Sequence, residues 1–123
     1  MNSGFALAAV LSLITFSTHT FVGGKYAARP ILAAETFDRA SRWLNYMCWH
    51  MVTALLLLFT GGFAWAALSP EAVEVAMLLT GLAVPLSAIS VWVAMKGGIQ
   101  PWRFPSSWLF ALITVAGLSG LLG

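Results

Sequence analysis

An all-α fold, an integral membrane four-helix bundle, is what this sequence predicts, and three observations carry the prediction. Only 8% of the 123 residues are charged while 60% are apolar, against about 25% charged in a soluble domain. Four uncharged stretches, Met1–Gly24, Trp43–Pro70, Val75–Met95 and Phe104–Gly123, each match the about 20 apolar residues that cross a hydrocarbon layer about 30 Å thick. All 6 Lys and Arg residues fall in only two of the connections. Four crossings use up most of the chain, so 1–123 reads as a single transmembrane domain with no room for a soluble one.

The first crossing is expected over about 5–22. Within it Ala8, Ser12, Thr15 and His19 recur at helical spacing and share one face. In lipid such a face turns toward other helices, because hydroxyls and imidazole find no water there. Ser12 and Thr15 are therefore candidate helix-packing residues. Gly23-Gly24 loosens the helix end and Arg29-Pro30 marks a turn, since the residue before proline is pushed away from helical geometry.

An amphipathic cytoplasmic segment follows over about 31–44, with Glu35, Asp38, Arg39 and Arg42 on one face and Ile31, Ala34 and Phe37 on another. Glu35 with Arg39, and Asp38 with Arg42, are spaced as acid-first i,i+4 pairs. This segment either runs straight into the second crossing or kinks near Ser41–Asn45. The second crossing, about 46–68, puts His50, Ala54, Leu57, Gly61 and Trp65 on one face. Gly61 and Gly62 are expected to admit a neighbouring helix closely.

Ser69-Pro70-Glu71 reads as a tight turn that makes crossings two and three an antiparallel hairpin, with Ser69 as helix cap. The third crossing, about 72–95, contains Pro85, where a missing N–H predicts a kink. Gly97-Gly98 and Pro101 end it. The fourth, about 107–122, opens at Pro105-Ser106-Ser107 and offers Gly117 as a packing position.

With four crossings, connections 24–42 and 96–103 lie on one side, and they hold every basic residue. The positive-inside rule makes that side cytoplasmic and puts both termini on the other side of a cell inner membrane. Trp43, Trp49, Trp92, Trp102 and Trp108 collect near the same interface and only Trp65 near the other, as an aromatic belt does. No Lys or Arg precedes Lys25, which argues against a secretory signal. Cys48 is the single cysteine, which rules out an internal disulfide and a paired-cysteine metal motif. Lys25, Arg29, Arg39 and Arg42 are offset by Glu35 and Asp38 on a short anchored segment, so membrane lipids rather than nucleic acid are the expected partner.

His19 and His50 are the only histidines, and antiparallel helices bring them to nearly the same depth. One reading makes them axial ligands of haem b, since haem iron is held through histidine nitrogens. Trp49 would then cover the macrocycle and Arg42 meet a propionate. The other reading makes them helix–helix hydrogen-bonding residues, His19 toward Asn45 or Tyr46 and His50 toward Thr15 or Thr18. A metal held by His19 and His50 alone would need further ligands, and Cys48, two residues from His50, lies on a different helical face.

No charged residue lies deep in any crossing, which argues against a proton-coupled pump. The function expected first is that of a small accessory or structural protein, associating with itself as a homo-oligomer or with other membrane proteins in a larger complex. A bis-His haem electron-transfer protein is the second reading. An oligomeric channel or small-solute transporter, with Pro85 kinking a lining helix, is the third.

Overall fold

The structure, a computed structural model describing residues Met1–Gly123, is built from four helices long and apolar enough to cross a membrane, and has no strand. They are α1 (Ser3–Ala33), α2 (Arg39–Leu68), α3 (Pro70–Lys96) and α4 (Pro105–Leu122). The chain is therefore a multi-pass membrane protein of the four-helix class. Helix α1 packs against α2 and α4, and α3 packs against α4. Helices α2 and α3 meet less extensively, with Gly62 lying against Leu79 and Val75.

Phe59, Phe63, Leu56 and Ile113 are the largest fully buried side chains and fill the middle of the bundle. Around them Ala8, Ala76 and Ala83 let the backbones approach. The closest approach joins α1 to α4, where a side chain at Gly4 would run into the backbone of Gly120 and one at Gly120 into Phe5. Gly117 is closed off in the same way by Thr80 of α3. Asn2 locks this end of the bundle. Its Oδ1 accepts from the Phe5 N–H at 3.1 Å, its Nδ2 donates to the Gly120 carbonyl at 2.7 Å, and its own N–H donates to the Ala67 carbonyl at 2.9 Å.

Three local expectations are corrected. Helix α1 does not end at Gly23-Gly24 or turn at Arg29-Pro30, but runs on to Ala33, passing through a π-helical stretch at Thr18–Ala28. The wider winding shows in the Arg29 N–H, which donates to the Gly24 carbonyl five residues back. Pro30 has no N–H and its ring crowds the carbonyl one turn earlier, and re-registered hydrogen bonds are how a helix absorbs both.

The segment 31–44 is not a separate amphipathic helix. Residues up to Ala33 finish α1, Ala34 is extended (ψ 111°), and Arg39 starts α2. The break lies at Ala34–Asp38, earlier than Ser41–Asn45, because Asp38 takes the N-cap position and its carboxylate accepts from the Ser41 N–H at 3.0 Å and from the Ser41 hydroxyl. Asp38 is thus engaged with Ser41, and Arg42 instead donates from Nη1 to the Leu32 carbonyl at 3.5 Å. At 31 and 30 residues, α1 and α2 are each about 45 Å long, roughly 15 Å more than the hydrocarbon thickness. Their excess forms a hairpin tip that carries the first basic cluster.

Ser69, third, makes no capping bond through its side chain. Its carbonyl accepts from the Ala72 N–H at 3.0 Å to form the turn into α3. At the other end of α3, Gly98 takes a left-handed φ of 68° and the Ile99 N–H returns to the Ala94 carbonyl at 2.8 Å, a glycine-dependent helix stop.

Gly4→Leu should force α1 and α4 apart and destabilise the bundle by about 1–3 kcal/mol, whereas Gly81→Ala, whose added carbon meets nothing, should leave thermal unfolding in mild detergent unchanged or raised. Asp38→Ala should speed amide exchange in the first turn of α2. The Ser41 hydroxyl, and then the Ser41 N–H, hold the Asp38 carboxyl below its usual range. A depressed folded value means that the cap is fully present above the unfolded carboxylate value of about 3.9 and is lost as pH falls through the folded one. The exchange rates of wild type and variant should therefore converge only in acid.

Candidate functional site

His19, Trp49 and the π-helical stretch meet at the end of the bundle that carries the basic connections. The His19 ring stacks on the Trp49 indole with centroids 4.0 Å apart and planes at 14°. His19 Nε2 lies 3.1 Å from the Trp49 carbonyl oxygen, and a carbonyl only accepts, so Nε2 is the donor of this bond. The same carbonyl also accepts from the Thr53 hydroxyl at 3.1 Å. The indole reaches past the imidazole to Gly23, where a Cβ would lie 2.7 Å from Trp49 Cη2. Glycine at that position is what allows α2 to seat its tryptophan on α1.

Below this stack lies a cavity of about 350 Å³, open on one side. One wall is the π-helical stretch, which contributes Thr18, His19, Val22, Gly23, Tyr26 and Ala27. Trp49, Val52 and Leu56 of α2 form the second wall, and Phe104, Leu109 and Phe110 at the start of α4 form the third. π-Helical turns widen a helix and recur at functional sites. Here the widened stretch and the cavity coincide.

The other candidates are placed as follows. His50 is exposed, lies outside the cavity wall and packs edge-on against Tyr46 with centroids 4.5 Å apart. His19 reaches the Trp49 carbonyl rather than Asn45 or Tyr46, and Asn45 donates to the Ser41 carbonyl at 3.0 Å within its own helix. Arg42 is turned to Leu32, at the hairpin tip. Ser12 and Thr15 are buried, but their hydroxyls donate back to the Ala8 and Leu11 carbonyls, both at 2.7 Å, and not across to another helix. Gly62 and Gly117 take close neighbours, whereas Gly61 faces outward with nothing near it. Pro85 is exposed, on the outside of a continuous α3 and away from any central path.

The donor set does not fit haem. One face of His19 is covered by Trp49, its Nε2 proton is engaged, and His50 does not share its cavity. No third His, Cys, Asp or Glu joins the two histidines in a group able to hold a metal ion. A path through the centre of one copy is closed by Phe59, Phe63 and Ile113, each with 0% of its surface accessible.

Two polar features were not singled out from the sequence. Asn2 was passed over because one amide near a terminus has no periodicity. The other is a serine cluster between α3 and α4, where Ser87 donates to the Ser107 carbonyl at 2.8 Å and Ser90 meets Ser106. The spacing of Ser87 and Ser90 beside the Ser106-Ser107 pair was its available signal. Comparison with protein-family models, with curated proteins and with solved structures finds no match.

His19→Ala should remove both the stack and the hydrogen bond and cost about 1–3 kcal/mol of thermal stability in detergent. Trp49→Ala should cost a similar amount, and the double variant clearly less than the sum, because both changes remove one shared contact.

Proposed function

We propose that this protein is a small accessory subunit of the cell inner membrane that works by packing its outer helix faces against other transmembrane helices, those of a second copy or of a larger complex. The observation that carries the reading is a division among the glycines of its four crossings. Gly4, Gly62, Gly117 and Gly120 are each closed by a neighbour within the chain, whereas Gly61 of α2 and Gly81 of α3 face outward with no atom within 4 Å of an added Cβ. Glycine disfavours helix by about 1 kcal/mol relative to alanine, and within a membrane its common return is a close helix contact.

On α2 the outward glycine belongs to a continuous exposed face of His50, Ala54, Leu57, Gly61 and Trp65, low in the middle and flanked by rings. Apart from Thr20 Oγ1 and Arg42 Nε, the buried side-chain polar atoms are spent on internal bonds, and little of the chain projects beyond the hairpin tip, so the outer faces are the surface left for partners. The positive-inside rule supports the hairpin tip and the α3–α4 connection on the cytoplasmic side, with both termini opposite.

Gly61→Leu should leave the monomer folded and weaken association at least about tenfold in dilution series of labelled protein in liposomes. In a Cys48→Ser background, Gly61→Cys should crosslink to a second copy or to a co-purifying membrane protein. Unchanged association in the leucine variant together with no crosslink would sink the proposal.

A further inference from the structure

The cavity beside the His19–Trp49 stack has chemistry of its own, independent of the outward glycine face. Its walls are largely apolar, and several of the polar atoms they include are already occupied. Thr15 donates to Leu11, His19 Nε2 is bound to the Trp49 carbonyl, and Ser106 is paired with Ser90. A ligand with a polar ring would find few partners there, whereas a hydrocarbon chain needs none. At about 350 Å³ and open on one side, it falls at the lower end of the roughly 300–1,000 Å³ typical of ligand pockets.

The mouth is basic. Lys25 Nζ lies over the ring of the wall residue Tyr26, 5.2 Å from its centre, and exposed Arg103 directly precedes the wall residues Phe104 and Pro105. The acids are elsewhere, Glu35 and Asp38 in the α1–α2 turn and Glu71 and Glu74 at the opposite end of the bundle. An apolar slot whose wall residues have basic neighbours matches an amphiphile with an apolar tail and an anionic head.

We propose that this cavity binds one acyl chain of an anionic phospholipid, with the headgroup phosphate between Lys25 and Arg103. The π-helical winding of Thr18–Ala28 opens the slot by displacing that wall from the course of a regular helix, and Thr15, Leu56 and Phe110 line its deep end.

The test is native mass spectrometry of delipidated full-length protein in a non-ionic detergent, titrated with phosphatidylglycerol or phosphatidylcholine, together with crosslinking by phosphatidylglycerol bearing a diazirine in its acyl chain. The expected result is a single retained phosphatidylglycerol and crosslinks on Val22, Ala27 or Phe104. Lys25→Gln and Arg103→Gln, both at exposed positions, should each reduce the preference for phosphatidylglycerol over phosphatidylcholine by about fivefold. Ala27→Trp, which fills the mouth, should lower retention of either lipid by at least about tenfold, with its melting temperature measured alongside. Crosslinks confined to the outer faces of α2 and α3, no preference between the lipids, or displacement of the crosslinks by an isoprenoid quinone but not by phosphatidylglycerol would each overturn the assignment. Inorganic phosphate should not compete, since the chain provides the anchoring; competition by phosphate alone would reduce the site to a surface anion site.

Discussion

A polar atom in hydrocarbon has no water to turn to, and the need to satisfy each one internally governs this bundle more than any apolar contact does. Lipid tails are as apolar as leucine, so burying leucine between helices gains little over leaving it in lipid. Hydroxyls meet the constraint locally. Ser12, Thr15, Ser17, Thr53, Thr60, Thr80 and Thr114 each donate to the carbonyl four residues earlier in their own helix. Once so bonded they act toward neighbouring helices as small residues. Ser12 can therefore sit wholly buried without a partner on another helix.

Few polar groups are left to join helices, and these define the architecture. Asn2 ties α1 to α2 and α4 at one end, and the serine cluster ties α3 to α4 near the other. His19 ties α1 to α2 through the Trp49 carbonyl. Between these points the helices are held by shape: glycine against backbone at Gly4 and Gly120, and phenylalanine in the space that small residues leave. Close approach is strong at the Asn2 end, where glycines meet. It is weak where the π-helical stretch widens α1 and the bulky rings of Trp49, Phe104 and Phe110 hold the walls apart. The cavity is a consequence of that asymmetry.

Length and charge made the four crossings legible, because hydrophobic runs report membrane thickness directly. Periodicity reports a shared face, and Ser12, Thr15 and Gly117 are buried while Gly62 lies against Leu79 and Val75. It failed where two outcomes share one pattern. The face of His50, Ala54, Leu57, Gly61 and Trp65 repeats as a packing face does, and in this chain it points outward. A single helix face cannot announce whether its partner lies in the same chain. The cap at Asp38 was hidden by the more familiar i,i+4 reading of Asp38 with Arg42, although a carboxylate three residues before a serine N–H satisfies an orphan helix donor at once. The π-helical stretch had both of its causes in view, Gly23-Gly24 and Pro30, yet each alone reads as a helix stop. Their separation lets the helix change its winding between them and continue.

The same continuation explains why His19 and His50 are not equivalent. Equal depth follows from counting residues in antiparallel helices, but facing direction follows from winding. On α1, His19 continues the face of Ala8, Ser12 and Thr15, which is buried in the bundle, and there it meets Trp49. On α2, which stays α-helical from Arg39 to Leu68, Trp49 and His50 are set about 100° apart. The residue that turns toward α1 is therefore the tryptophan, and its neighbour must turn away. Only one histidine can belong to the interior, and the tryptophan beside the other supplies both the ring and the carbonyl that hold it.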